Sequence, residues 1–221
     1  MGRKITILGM GPSAHERRHD IERYMDGTEI WSLNNAYGTF PTLREGKKFN
    51  RFFEMHAWQY LKDWKAGQLP TGEQINHWAA LNELQCPIYT GQPLPYVEQQ
   101  TLIDWKQLGM HYKALFEQIS VNLDIRTGHT ACYFRGSPSL MLMIALMDHD
   151  NGDSVEYIQS YGIDTSDPQH QCQRASWSFG LSQALARGIK LGGTACRYMF
   201  DVENDAGLVG LQQRITNLTK E

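Results

Sequence analysis

Two glycine-containing turns and three polar clusters are where this sequence could do chemistry. Gly9-Met10-Gly11-Pro12-Ser13 follows a short apolar run and opens a polar, helix-forming stretch. Glycines let backbone amides approach a phosphate, and a helix N-terminus adds partial positive charge. The Ser13 hydroxyl could donate to the same group or cap the helix. A tight strand-to-helix turn without a ligand would use the same residues. Gly136-Ser137-Pro138-Ser139 precedes the most apolar helical stretch and makes a second amide-rich N-terminus. It reads as a phosphate site or as an ordinary serine N-cap. Two such turns facing one crevice would suit a diphosphate.

Glu54-Met55-His56 pairs a carboxylate with an imidazole at the end of a candidate strand, a combination suited to acid–base work. Strand alternation puts Glu54 and His56 on one side and Met55 on the other. The alternative is structural, with Glu54 paired to an arginine and His56 bonded to a carbonyl. Asn34-Asn35 ends another strand, where side-chain amides could read a ribose or base, or build an Asx turn. Gly162-Ile163-Asp164 ends a third, with Arg174 shortly after. Asp164 could grip a ribose, bind a metal or act as a base, and Arg174 could hold a phosphate or pair with Asp164. No metal site is assigned from the histidines.

These residues need a scaffold that brings strand ends together. Residues 4–8, KITIL, form a β-branched apolar run closed by glycine, which reads as a buried parallel strand. A helix is expected over 14–24, strands over 29–33 and 49–55, and a short strand over 86–90. Helical pieces are expected at 58–65, 72–84 and 96–118. Regularity then returns with a helix over 137–147, a strand over 154–161, a helix over 173–187 closed by Gly188, a strand over 189–191 and a terminal helix over 206–221. Strands alternating with helices imply an α/β fold, a Rossmann-like three-layer sandwich with a mostly parallel sheet. Residues 1–221 read as a single domain. Within it, 57–118 is a helical, aromatic-rich insertion that would act as a lid.

With 41% hydrophobic and 20% charged residues, wholesale disorder is excluded, and a formal charge of -3 argues against coating nucleic acid by bulk electrostatics. The four cysteines, Cys86, Cys132, Cys172 and Cys196, form no CxxC pair and read as reduced thiols. The basic start and short apolar run read as a strand rather than a leader, and no membrane span is expected. A cytoplasmic location follows from those features.

The order ILGMGPS, WSLNNAY, FEMH, a serine-flanked helix start and YGID resembles two groups of Rossmann-like proteins. One is the small single-domain bacterial sialyltransferases; the other is the 6-hydroxymethylpterin diphosphokinases. The segment from YGID through QR to the helix ending ARG is also similar to phage and prophage proteins. The sialyltransferase resemblance implies that Gly9, Gly11, Pro12, Ser13 and Asn34 contact a cytidine nucleotide.

A nucleotide-dependent, glycosyltransferase-like enzyme is therefore expected. Its donor would be a nucleotide sugar held at the first strand-to-helix turn. The nucleotide set would be Gly9, Gly11, Pro12, Ser13, Asn34, Asn35, Ser137, Ser139, Gly162 and Arg174. Glu54, His56 or Asp164 would deprotonate an acceptor hydroxyl. Trp58, Trp64, Trp78, Tyr89, Tyr96 and Trp105 would close over sugar or base. A phage origin would make a modified base in DNA an acceptor, with Arg44, Lys47, Lys48 and Arg51 on its phosphates or simply forming a solvated loop. The alternatives are a Mg²⁺-dependent diphosphokinase and a non-catalytic nucleotide binder.

Overall fold

The computed structural model describes residues 2–16, 18, 21, 25–56, 76–112, 136–164 and 171–194. Its strands are β1 (Arg3–Leu8), β2 (Glu29–Leu33), β3 (Phe49–Glu54), β4 (Ile88–Thr90), β5 (Gln100–Leu102), β6 (Val155–Tyr161) and β7 (Lys190–Gly193). They form one seven-stranded sheet in the order β5-β4-β3-β2-β1-β6-β7. Every neighbouring pair is parallel. The fold is α/β and Rossmann-like, as the strand–helix alternation implied.

Helices among the described residues are α1 (Pro12–Glu16), α2 (Ala36–Thr39), α3 (Pro41–Glu45), α4 (His77–Glu83), α5 (Trp105–His111), α6 (Ser137–Asp150) and α7 (Gln171–Ala186). The strand period of two divides the apolar residues between two cores. Ile5, Ile7, Trp31, Leu33, Phe53 and Ile158 join Leu140–Leu146 of α6 and Trp177, Leu181 and Ala184 of α7. Leu8, Ile30, Phe52, Ile88 and Tyr161 pack on the other side with Ala14, Phe40, Leu43, Leu81 and Leu84. These are the three layers. Leu140 through Leu146 are all buried, so α6 is apolar around its whole circumference because it is enclosed by protein.

The segment expected as an insertion contributes to the sheet. Its described part, residues 76–112, supplies β4 and β5 as well as α4 and α5. The single helix expected from Tyr96 is corrected. Gln100 ties its own loop by donating to the Leu94 and Val97 carbonyls, and β5 then pairs with β4. A helix starts only at Trp105, where the Asp104 carboxylate accepts from the Gln107 amide at 2.8 Å. The helices expected over 58–65 and 206–221 lie outside the described residues. Cys86 is buried, and burial pushes its thiol up to about 12. No helix among the described residues is long and apolar enough to cross a membrane.

Candidate functional site

Strand order reverses between β1 and β6, and open parallel sheets bind ligands beyond the strand ends at such a reversal. A cavity of about 570 Å³ lies there. The turn after β1 lines it with Gly9–Pro12, the end of β2 with Leu33 and Asn34, and the end of β3 with Met55 and His56. Trp105, the start of α6 from Gly136, Gly162–Asp164 after β6 and Gln173 of α7 complete the wall. Of the residues singled out from sequence, Gly9, Gly11, Pro12, Asn34, His56, Ser137, Gly162 and Asp164 meet around it. Ser13, Asn35, Glu54, Ser139 and Arg174 are not part of its lining.

The first turn is joined to the loop after β6. Gly9 donates to the Tyr161 carbonyl at 2.8 Å and Gly11 to the Gly162 carbonyl at 2.9 Å. The Ser13 amide donates to Asp164 Oδ2 at 2.8 Å, and the Ser13 hydroxyl accepts from the Gly162 amide at 2.9 Å. A Cβ on Gly9 would stand 2.2 Å from the Gly162 oxygen, and one on Gly11 would stand 2.3 Å from Asp164 Oδ2. The glycines are therefore required by the close approach of the β1 and β6 loops. The Gly9, Gly11 and Ser13 amides already have acceptors within the protein. Asp164 supplies the anion at the head of α1.

The second turn remains open. Gly136, at φ +94, holds the N-cap position of α6, and among the described residues no side-chain cap bond is made there. The serine-cap reading is thereby corrected: Ser137 and Ser139 stand inside the first turn, with Ser139 buried and Ser137 on the cavity. Gly136 must be glycine for a steric reason too, since a Cβ would lie 2.2 Å from Gln173 Oε1. The start of this 14-residue helix, at Gly136, Ser137 and Pro138, lies on the cavity wall. Asn34 adopts φ +55, a left-handed conformation that asparagine tolerates better than most residues. Its amide donates to the Phe53 carbonyl at 2.9 Å, while its side-chain oxygen is buried without a hydrogen-bond partner. Asn35 precedes α2 without capping it, and its side-chain oxygen is likewise buried and unpartnered.

Glu54 and His56 meet as the alternation suggested. His56 Nδ1 lies 2.6 Å from Glu54 Oε1, which also accepts from the His56 amide at 3.0 Å. The other carboxylate oxygen is 2.9 Å from His77 Nε2, and His77 Nδ1 is 2.7 Å from the Tyr37 hydroxyl. The arginine-pairing alternative for Glu54 is overturned, because its partners are two imidazoles. Glu54 is fully buried, so it backs His56 rather than touching the cavity. Burial opposes its ionisation, but the bonds from His56 and His77 outweigh burial and hold the carboxyl at about 2. An ionised carboxylate only accepts, so His56 carries a proton on Nδ1.

Among the described aromatics expected over the ligand, only Trp105 reaches the wall, with its ring nitrogen donating to the Gly91 carbonyl at 3.0 Å. Tyr89 stacks on Phe53 at 4.9 Å between centroids, and Trp78 packs near Tyr96 at 6.0 Å. Trp58 and Trp64 lie outside the described residues. Arg51 is held inside by Asp148 at 2.9 Å and by the Trp31 ring, and Arg44 pairs with Glu83 at 2.6 Å. His77 and Tyr37 were not singled out as site residues from sequence, and Gly136 was read only as part of the second turn. The Asn76-His77 helix start carried a local signal, since Asn76 caps α4, but nothing linked it to Glu54. Among the described residues no three His, Cys, Asp or Glu side chains group as a metal site. Comparison with protein-family models, curated proteins and solved structures gives no match.

Proposed function

We propose that this protein is a nucleotide-dependent transferase of glycosyltransferase type, with His56 as the base that activates an acceptor hydroxyl. The observation that carries the reading is a carboxylate-backed imidazole in the wall of a cavity at the strand reversal. A histidine so oriented is suited to accept a proton as a bond forms. The reaction balances simply. The acceptor oxygen bonds to the anomeric carbon, the bond from that carbon to the donor's phosphate oxygen breaks, and the nucleotide leaves. The acceptor's proton ends on His56 Nε2.

The binding roles shift from those expected of the first turn. The donor's phosphates are assigned to the head of α6 at Ser137, where a backbone amide and the helix dipole favour negative charge. Asn34 and Asp164 are assigned to the ribose, and Trp105 to the face of a sugar or base. The glycines of the β1 turn act by letting Asp164 reach its place. Hydroxylated DNA bases belong among the acceptors tested.

A thermal-shift screen against nucleotides and nucleotide sugars, with and without Mg²⁺, tests the reading. A ligand at ~100 times its dissociation constant stabilises the fold by about 2.7 kcal/mol. A nucleotide sugar is expected to raise the melting temperature without Mg²⁺. A response only to a triphosphate with Mg²⁺ would replace the reading with diphosphoryl transfer, and no response to any nucleotide would remove it. Unchanged ligand recovered from a tight complex would mark a binder without turnover.

A further inference from the structure

Two buried side chains stand behind Glu54 that the proposed reaction does not touch. His77 opens α4, Tyr37 lies in α2, and they are 5% and 1% exposed. Both directions of proton donation at the carboxylate follow from its charge. Glu54 accepts at Oε1 from His56 Nδ1–H and at Oε2 from His77 Nε2–H. Burial, and then the nearby Glu54 charge, push the Tyr37 phenol well above its usual range, so it remains O–H and donates to His77 Nδ1. Arg44 is the cation that acts on Tyr37 in the opposite sense. Each carboxylate oxygen is thus committed to one histidine. In histidine, the hydrogen bond made by one ring nitrogen decides which nitrogen carries the proton.

We propose that His77 and Tyr37 are positioning residues that lock Glu54 between two imidazoles and so fix His56 as the Nδ1–H tautomer, with Nε2 its basic nitrogen. The catalytic importance of this arrangement rests on the reading of His56 as the base. The arrangement itself belongs to the protein without ligand. Without the His77 donor, Oε2 of a fully buried carboxylate would lose its partner. The carboxyl would then rotate or take up a proton, and His56 would lose its fixed acceptor.

Two-bond ¹H–¹⁵N NMR of the full chain at pH 8 reads the tautomer directly. His56 is expected to show a protonated Nδ1 and an unprotonated Nε2. In His77→Phe the Nε2–H form of His56 is expected to rise at least threefold, with a smaller rise in Tyr37→Phe. His77→Gln, which can still donate to Glu54, is expected to restore the wild-type pattern. Should His77→Phe not fold, His77→Asn takes its place, because its amide is too short to reach the carboxylate. A wild-type His56 protonated on Nε2, or a His56 pattern unchanged by loss of the His77 donor, would overturn the proposal. The spectrum requires no substrate. A nucleotide screen that fails beside the expected tautomer therefore removes the transferase reading alone.

Discussion

The Ser13 amide donates to Oδ2 of Asp164 at 2.8 Å, joining two residues 151 apart in sequence. This bond turns the glycine turn after β1 into an internal joint. Asp164 fills the place at the head of α1 that an anionic ligand would otherwise take, and the Gly11 Cα leaves it room. Under the proposed function, the donor's phosphates would meet the other helix head, at the start of α6. One cavity wall is therefore self-satisfied and the other is open.

Gly11→Ala should destabilise the fold by about 1–3 kcal/mol, because its Cβ would stand 2.3 Å from the Asp164 carboxylate oxygen. Gly11→Val should cost more, so its effect on ligand binding cannot be separated from loss of fold. Chemical denaturation of Gly11→Ala, Asp164→Ala and the double variant checks this. The double variant should be more stable than the sum of the single effects predicts, since Asp164→Ala removes the two closest clashing atoms. Strict additivity would contradict the joint.

Stability should fall on acidification in a way that depends on Glu54. Its carboxyl is held at about 2, against an ordinary value of 4.5. A depressed value in the folded state means that the contribution is fully present above the ordinary value and is lost as pH falls from there towards 2. Urea denaturation between pH 6 and pH 3 should show this decline, and Glu54→Gln should flatten it. An equal slope in the variant would place the acid sensitivity elsewhere.

The legible parts of the fold were those with local causes. KITIL and EIWSL announce buried strands through β-branched and aromatic residues ended by glycine or asparagine, and the structure places β1 and β2 there. The apolar run from Ser137 to Met147, with proline in its first turn, announces α6. β5 was not legible, because a three-residue edge strand with a half-exposed Leu102 has no apolar signature. At the site, Glu54 and His56 were legible through strand alternation, being two residues apart. His77 was not, because its bond to Glu54 spans 23 residues and depends on how α4 packs beside β3. What packs against the first glycine turn was not legible for a related reason. Sequence shows that a Cβ is absent at Gly11, but only tertiary structure shows that Asp164 fills the space.

Glu54→Gln should lower turnover by roughly 10²–10⁴-fold, the range of a positioned general base, while leaving the nucleotide-induced thermal shift nearly intact. The amide can accept from one histidine but must present a donor to the other, so one imidazole turns away. His56→Ala should lose as much, and the two losses should not add, because they disable a single unit. Steady-state kinetics on the single and double variants decide it. A double variant worse by the product of the two effects would mean that Glu54 acts independently of His56.

Ser137→Asp should move protein stability and ligand binding in opposite directions. A carboxylate in the first turn of α6 complements the helix dipole and should stabilise the unliganded fold by about 0.3–1 kcal/mol. The same charge on the cavity wall would occupy the amides assigned to the donor's phosphate and repel it. The expected result is a small rise in melting temperature without ligand and loss of the shift on adding nucleotide. Ser137→Ala controls for removal of the hydroxyl and should keep most of the shift, because backbone amides carry the contact. A Ser137→Asp variant that still binds nucleotide as tightly as wild type would place the phosphate away from α6. With the amides of Gly9, Gly11 and Ser13 already engaged, the Asn34 side of the cavity would then be the next to test.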